Sequence, residues 1–408
     1  MISDLPGCID GATAGCGGDE YPKVLWEFTD HEDADANCPG GFSGDDCAPW
    51  WDLGWTWSKP AIARIAIYNS TDHNEPDDIF VAFFGGGWDE TGFDRTGRYF
   101  YGVNVETGEV IFKHPIGVAL PGSPTALDTD DDGFHDRIYF ADSDGSLWRI
   151  QYPAPTSSSA TGAGAAEDGS EPGVIVRIWD FRTSFPDRQM FFHRPVAVAT
   201  VAEDGQRYWA ITSGSGNRAD LGEEIGAVDH FFFVLDVGDD TTRDASYLLP
   251  VSYADLDGSI TCATSALNPA DGLYGWYLSL RPNEKVMWEA PVIDGYIEFP
   301  TFDPTDGVVA VHNVPDQCGS DPPDDGGGDD GEPEVVCTSS GLGRVYRLWY
   351  KCGLGDYTET NTPIMGGTVT TDGSTTTTYY PTINPNEPPE QHDYDHPGNH
   401  VVTNWRQY

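Results

Sequence analysis

Short runs of β-branched and aromatic residues alternate with clusters of Gly, Asp, Pro and Asn along almost the whole chain. Helical spacing of apolar residues is hard to find, whereas the short runs fit strands that are bounded by turns. The pattern therefore predicts an all-β chain. The predicted strands span residues 24–28, 61–68, 79–84, 99–105, 110–113, 138–141, 146–151, 174–179, 196–201, 208–212, 231–237, 276–280, 285–289 and 345–350.

Some of these strands belong to a repeated unit, in which a strand, a tight acidic turn with glycine and a second strand follow one another. The unit occurs as YFYGVNVETGEVIF at 99–112 and again as RIYFADSDGSLWRI at 137–150. The turn glycines Gly108 and Gly145 lie 37 residues apart, which is near the period of about 40 to 50 residues that is typical of propeller blades. We therefore predict a β-propeller of about seven blades with loop insertions.

The domain organisation follows from the composition of the segments. Residues 1–20 are predicted to form an N-terminal extension closed by a disulfide, and residues 21–408 a single propeller domain. Three segments have the composition of solvated loops and are predicted to be insertions. They are a small-residue segment at 153–172, an acidic segment at 318–337 and a Thr-rich segment at 366–389.

Charge narrows the range of partners. The 408 residues include 67 Asp and Glu against 21 Lys and Arg, a formal net charge of -46. A field of this sign repels phosphate backbones and anionic lipid, so we expect no nucleic-acid partner and no attachment to an acidic lipid surface. No membrane insertion is expected either, because no apolar run is long enough to cross a bilayer. Most of the carboxylates are interpreted as a solubility surface, and only a few need be cation ligands. With 38% hydrophobic and 12% aromatic residues, the chain can form a large core.

The 8 cysteines include no Cys-x-x-Cys pair, and an even number in loop contexts favours disulfides over a zinc site. Three pairs would each close a short loop and leave Cys262 for Cys352, although spacing does not prove this pairing. The three pairs are Cys8 with Cys16, Cys38 with Cys47, and Cys318 with Cys337. Disulfides predict a location outside the cytoplasm. No signal peptide or bilayer-spanning apolar run is found, so we expect a soluble chain whose precursor, if exported, begins before residue 1.

The sequence DTDDDGFHD at 128–136 crowds carboxylates into one turn directly before a predicted strand. Its spacing is that of an EF-hand-like loop, with Gly133 at the sharp turn of position 6. The oxygen ligands at positions 1, 3, 5, 7 and 9 would be Asp128, Asp130, Asp132, the carbonyl of Phe134, and Asp136. Alternate residues direct their oxygens toward one point, and Ca2+ takes about 6 to 8 oxygens at about 2.3 to 2.6 Å. The loop is therefore predicted to bind Ca2+.

The loop departs from an EF-hand at its end. Position 12 is Tyr139, where an EF-hand has a bidentate Glu, and a strand follows instead of a helix. Asp136 is therefore expected to supply the closing carboxylate. Two alternatives stay open: the cluster is only an acidic turn of an acidic protein, or the ion has a purely structural role and no regulatory one.

Aromatic and imidazole side chains offer further candidates. Trp50, Trp51, Trp55 and Trp57 form a dense group whose rings would stack on sugar faces, pack between blades or cap the mouth of the propeller. We favour packing or capping, because large rings dominate core energetics. The histidines beside predicted strands are interpreted as packing residues. They are His73, His193, His230 and His312.

A set of segments stands in a characteristic order along the chain. It comprises VLWEF, DLGWTWSKPAI, FVAFFGGGWD, YFYGVNVETGEVIF, GSPTALDTDDDGFHDRIYFADSDGSLWRI, FFHRPVAV, YWAITSGSGNR, HFFFVLDV, GWYLSLRPNEKVMWEAPVIDGYIEFPTFDP and NWRQY. In this order the segments resemble the C-terminal β-propeller of the PilY/PilC proteins, tip adhesins and biogenesis factors of bacterial type IV pili. The resemblance covers nearly the whole chain from about residue 21.

The resemblance implies a secreted or surface-exposed propeller whose calcium occupancy tunes pilus extension and retraction, often with a role in adhesion. The residues that match the family's calcium loop are Asp128, Asp130, Asp132, the Phe134 carbonyl and Asp136. The implied partners are pilus subunits and a surface or host ligand, although no Arg-Gly-Asp tripeptide occurs. The alternative is a structural subunit that decorates another extracellular filament.

Quinoprotein-like propellers with turns such as Asn-Val-Glu-Thr-Gly also hold pyrroloquinoline quinone, so a quinone-dependent dehydrogenase is a further alternative. The alcohol dehydrogenases of this type commonly have two adjacent cysteines against the cofactor, and this chain has no Cys-Cys dipeptide. Their calcium is bound by scattered residues, whereas the loop at 128–136 is local. The His-Glu-x-x-His, Gly-x-Ser-x-Gly and Walker motifs are missing too. We expect a protein that is not an enzyme.

Overall fold

The computed structural model describes most of the propeller. The described residues are 26, 28, 53–67, 77–89, 96–152, 174–221, 226–305, 341–360, 368–371, 375–380 and 390–395. Within them the chain forms five β-sheets and three short 3-10 helices, at Ala245–Tyr247, Tyr253–Asp255 and Pro269–Asp271. No helix in these ranges is long and apolar enough to cross a membrane.

The first two sheets are four-stranded and antiparallel, and each strand pairs with its neighbour in the sequence. Sheet 1 contains β1 (Ala61–Ile67), β2 (Asp77–Gly85), β3 (Tyr99–Asn104) and β4 (Val110–Pro115). Sheet 2 contains β5 (Thr125–Leu127), β6 (Arg137–Ala141), β7 (Ser146–Gln151) and β8 (Val174–Asp180). Four strands in this up-and-down order form a propeller blade.

Sheet 3 is six-stranded and includes one parallel pair. Its strands are β9 (Val196–Val201), β10 (Arg207–Gly214), β11 (His230–Asp236), β12 (Leu249–Ser252), β13 (Leu267–Asn268) and β14 (Leu273–Ser279). Strands β9, β10, β11 and β14 form the antiparallel blade, and β12 lies parallel to β14 at its edge. The short strand β13 also pairs with β14, so two extra strands enlarge this blade beyond the four strands of each of the first two.

The last two sheets complete the described part of the chain. Sheet 4 contains β15 (Lys285–Val286), β16 (Val292–Ile293), β17 (Tyr296–Asp303), β18 (Leu342–Trp349) and β19 (Gly355–Thr360). Sheet 5 is three-stranded and contains β20 (Thr368–Thr371), β21 (Thr375–Tyr380) and β22 (Glu390–Asp395).

Successive sheets pack against each other through large apolar side chains. Separate buried clusters fill the junctions between sheets 1 and 2, sheets 2 and 3, and sheets 3 and 4. Each junction contains one closely stacked pair of Phe rings. The pairs are Phe100 with Phe140 at 4.1 Å, Phe181 with Phe232 at 4.1 Å, and Phe231 with Phe299 at 3.9 Å between ring centroids. Sheets that pack in sequence order through both faces form a β-propeller and explain why the chain needs so many aromatic residues.

Asp and Asn residues at the ends of strands reverse the chain. Asn104, Asp142, Asp236 and Asp303 each accept a hydrogen bond from the backbone N–H two residues later, at 2.8 to 2.9 Å. Such Asx turns reproduce the hydrogen bonding of a backbone turn. Part of the negative charge of the chain therefore has a structural role in hairpins.

The predicted β-propeller fold is confirmed. Strands predicted at 146–151 and 196–201 have the observed bounds, and the other predicted strands within the described ranges differ by at most three residues at an end. The sequence predicts about seven blades, and the described residues account for five sheets. The predicted loop at 366–389 is wrong in part, because it contains β20 and β21. Its repeated threonines are β-branched and favour strands.

Other predictions fall partly or wholly outside the described residues. Cys262 and Cys352 form the predicted disulfide, with Cα atoms 5.9 Å apart, whereas the other six cysteines lie outside the described ranges. The same is true of the predicted extension at 1–20 and the predicted insertions at 153–172 and 318–337.

The structure separates the roles of the aromatic and imidazole candidates. His193 and His230 are buried, as their packing interpretation requires. Trp55 and Trp57 are 49% and 39% exposed, so they do not pack between blades. The remaining candidates, Trp50, Trp51, His73 and His312, lie outside the described residues.

Candidate metal centre

The acidic loop, residues 128–136, joins the first two strands of sheet 2. Its two ends are held together, because Leu127 pairs with Arg137 and the Asp136 N–H donates to the Leu127 carbonyl at 2.9 Å. The hairpin therefore forces the residues between them to curl back within a short span.

Two residues in the left-handed region allow this curl. Gly133 has a φ of 94° and Asp131 a φ of 64°. A Cβ atom at Gly133 would meet only a guanidinium nitrogen of Arg64, at 3.7 Å. Glycine is therefore required there by the backbone conformation and not by lack of space. Asp is among the residues that tolerate the left-handed conformation best, which suits position 131.

The curl brings three of the five predicted ligands together. One carboxylate oxygen from each of Asp128, Asp130 and Asp132 lies within 4.8 Å of the other two. Oxygens that share one Ca2+ at about 2.3 to 2.6 Å are at most about 5 Å apart. The spacing therefore fits a single ion, and carboxylates are the hard oxygen ligands that Ca2+ prefers.

Asp128 contributes an oxygen that the protein leaves without a donor. Its Oδ2 accepts a hydrogen bond from the Gly133 N–H at 2.9 Å. Its Oδ1 is shielded from solvent and has no hydrogen-bond partner within the described residues. A shielded carboxylate oxygen without a donor costs free energy. A cation among the three carboxylates would remove that cost.

The electrostatics of the loop also favour a cation. Partial desolvation, together with the negative charges of Asp132 and Asp128, raises the pKa of Asp130 above its ordinary value. The Phe134 N–H donates to Asp132 Oδ1 at 2.9 Å and offsets only part of the charge. The three carboxylates therefore repel one another in the absence of a positive ion.

Asp136 has a structural role in the loop. Its Oδ1 accepts from the Thr129 N–H at 2.8 Å, and its Oδ2 accepts from the Thr129 hydroxyl. These bonds tie the start of the loop to its end, and Asp136 does not belong to the carboxylate group found within the described residues. Its role as the closing ligand, and that of the Phe134 carbonyl, stay predictions.

The loop also contacts the first blade. The His135 N–H donates to the Arg64 carbonyl at 2.8 Å, and the Arg64 N–H donates to His135 Nδ1 at 3.2 Å. The Arg64 guanidinium lies over the Phe134 ring, 4.4 Å from its centroid, and forms an ion pair with Asp78. The conformation of the acidic loop is thus coupled to the packing of sheet 1 against sheet 2. Sequence inspection missed Arg64, which lies in β1 with no local motif to mark it.

Fold and loop together define a β-propeller with an acidic hairpin loop in its second sheet. Among solved structures, the chain is similar to the C-terminal domain of PilY1 from Pseudomonas aeruginosa. The two share 16% identity with a TM-score of 0.53, over 86% of this chain and 74% of that one. The resemblance inferred from the ordered segments is thereby confirmed at the level of the fold.

The remaining comparisons add no functional information. The chain also aligns with an endo-arabinase from Bacteroides thetaiotaomicron VPI-5482, at 9% identity over 84% of this chain and 96% of that one. The TM-score of 0.24 is too low to support an argument. No protein-family model matches the sequence, and no curated protein matches it.

Proposed function

We propose that the chain is an extracellular, calcium-binding β-propeller of a type IV pilus protein, acting in pilus assembly or retraction control and in surface adhesion. The observation that carries the proposal is the grouping of Asp128, Asp130 and Asp132 on a fold similar to that of the PilY1 C-terminal domain. The disulfide between Cys262 and Cys352 supports an oxidising location outside the cytoplasm. The proposed role is not enzymatic.

The three grouped carboxylates would hold the ion, with the Phe134 carbonyl and Asp136 as further expected ligands. The bound ion supplies positive charge that offsets the repulsion among the carboxylates. The loop residues next to them contact β1 through His135 and Arg64. A loop drawn closed at its carboxylates would therefore hold the first two blades together more firmly. Calcium binding would in this way affect the shape of the propeller.

Complementation of a strain of the source organism that lacks the gene tests the pilus role. The complementing genes would encode the wild type, Asp132→Ala or Asp131→Asn. Both substitutions remove one negative charge from the loop, but Asp131 is outside the carboxylate group and its left-handed φ suits Asn. We expect the wild type and Asp131→Asn to restore surface pili, counted by electron microscopy, and twitching motility. Asp132→Ala should restore neither in full.

Four results would contradict the proposal in whole or in part. Loss of the gene without any change in pilus number or motility would exclude the pilus role. Equal restoration by all three genes would exclude control by calcium. Immunogold labelling along filament shafts, and not at tips, would favour a decorating filament subunit instead. Turnover of alcohols or sugars by the purified protein with added quinone and an electron acceptor would overturn the non-enzymatic assignment.

A further inference from the structure

Residues from distant parts of the chain meet around the indole of Trp288. Lys59 Nζ lies 5.7 Å and Arg218 Cζ 5.9 Å from the ring centroid, and the His193 ring lies 6.2 Å away, between centroids. We call these four residues the Trp288 cluster. Both cations are within the range of about 6 Å at which a cation interacts favourably with an aromatic ring.

The positions of the four residues place the cluster near the propeller axis. Lys59 precedes sheet 1, His193 lies between sheets 2 and 3, Arg218 follows β10 of sheet 3, and Trp288 follows β15 of sheet 4. Blades of a propeller surround a central channel, and blades that are not neighbours approach each other only near it. The cluster therefore lies near the propeller axis.

Exposed aromatic rings adjoin the cluster. Phe192 precedes His193, and its ring lies 5.7 Å from that of Trp57. The Trp55 ring lies 6.3 Å from Trp57, and both indoles are exposed to solvent. The region around the cluster thus combines two cations with solvent-facing indoles.

The charge of the cluster contrasts with that of the rest of the protein. Most arginines in the described blades form ion pairs with carboxylates. Lys59 and Arg218 take part in no ion pair within those blades. Glu289, the carboxylate next to Trp288 in the sequence, is paired with Arg194 at 2.5 Å. In a chain of net charge -46, two cations beside one indole, neither with a carboxylate partner within those blades, make a local anion-attracting site.

Arg218 has an additional reason to attract an anion. Burial lowers the pKa of its guanidinium, which means that the charge has lost part of its hydration. His193 next to it is neutral at pH 7, because burial and the Arg218 charge lower its pKa to about 3. The His193 imidazole therefore contributes packing to the cluster, and it neither adds charge nor neutralises that of Arg218.

We propose that the Trp288 cluster, with Trp55 and Trp57, binds a sugar that bears a single carboxylate, such as a uronic acid residue at the end of a glycan. The two cations would hold the carboxylate, and an exposed indole would cover the apolar face of the sugar ring. The strong negative charge of the chain opposes the approach of a polyanion. The site therefore suits one carboxylate at a time. This proposal is independent of calcium and of the pilus.

Ligand-observed NMR titration of the full chain with three probes tests the chemistry. D-glucuronate carries both ring and carboxylate, D-glucose carries only the ring, and acetate carries only the carboxylate. We expect D-glucuronate to bind at least about tenfold more tightly than either of the others. Equal affinity for glucose or for acetate would overturn the proposal. Tighter binding of a glutamate-containing peptide in a fourth titration would overturn it too and would indicate a protein partner.

Variants locate the binding site. Arg218→Gln and Lys59→Gln should each weaken D-glucuronate binding by about fivefold or more, and Trp57→Ala should weaken D-glucuronate binding but not acetate binding. The matched control is Arg207→Gln, which removes an exposed cation of β10 that has no ion pair within the described blades. Its affinity should match that of the wild type. Equal losses in Arg207→Gln and Arg218→Gln would show only a general charge effect and would contradict the site.

Discussion

Arg149 and Asp236 form an ion pair across the junction of sheets 2 and 3, with Nη1 2.6 Å from Oδ1 and both side chains 2% exposed. Arg149 lies in β7, and Asp236 ends β11. The Tyr139 hydroxyl donates to Oδ2 of the same carboxylate at 2.7 Å. Both carboxylate oxygens therefore connect one blade to the next.

Removal of this carboxylate should destabilise the protein strongly. Asp236→Ala removes the buried charge partner of the Arg149 guanidinium and leaves only the exposed Asp240, which costs about 3 to 5 kcal/mol. The matched control is Asp240→Ala, because Asp240 accepts from the same guanidinium at 3.0 Å but is 66% exposed. That variant should lose only about 0 to 1 kcal/mol. Urea unfolding measures both changes in the free energy of unfolding. Equal losses would show that the buried ion pair contributes no more to stability than the exposed one.

Two buried histidines should make stability depend on pH in the mildly acidic range. Burial lowers the pKa of His230 to about 4 and is the main cause that lowers that of His193 to about 3. An unfolded histidine binds a proton below about pH 6.5. The unfolded state therefore binds more protons than the folded state, and stability falls as pH falls from about 6.5 toward 4. Each site contributes up to about 3 kcal/mol to this loss.

His230→Asn isolates one of these contributions. The amide preserves a polar group opposite Gln189, which contacts His230 Nδ1 at 2.9 Å, but it does not titrate. We expect the free energy of unfolding, measured by urea titration from pH 7 to pH 5, to fall less steeply in the variant. The same slope in both proteins would show that His230 takes up its proton at the same pH in the folded and unfolded states, and would contradict the lowered pKa.

The disulfide between Cys262 and Cys352 should stabilise the third and fourth blades. It closes a loop of 90 residues between a segment of sheet 3 and the hairpin that joins β18 to β19. Replacement of both cysteines by serine should lower the free energy of unfolding by about 2 to 5 kcal/mol, largely because the unfolded chain gains freedom. Addition of a reductant to the wild type should shift the unfolding midpoint in the same direction. Unchanged midpoints in both experiments would contradict this role.

Features that depend on neighbouring residues could be predicted from the sequence. Strands β7 and β9 are short runs rich in β-branched or aromatic residues, each bounded by turn residues, and such runs are recognised without reference to the rest of the chain. The acidic loop is likewise contiguous, so spacing alone placed Asp128, Asp130 and Asp132 together. Strand β17 was missed because Pro300 lies within it and proline argues against a strand.

Features that depend on the packing of one blade against another could not be predicted. Arg149 and Asp236 are 87 residues apart and meet only because β7 and β11 belong to successive blades. The Trp288 cluster joins segments from several blades, and no local pattern marks its members. The role of Asp136 is set within the loop, because its hydrogen bonds to Thr129 compete with the ligand role that its spacing predicts.

Calcium affinity of the acidic loop tests the central claim most directly. Isothermal titration calorimetry of the apo protein would compare the wild type with Asp132→Ala and the charge-matched control Asp131→Asn, with Mg2+ as the competing ion. We predict one Ca2+ site in the wild type and the control, weakened on the order of 100-fold or more in Asp132→Ala. Absence of binding at millimolar Ca2+, or equal affinity in all three proteins, would contradict the account and leave the loop an acidic turn.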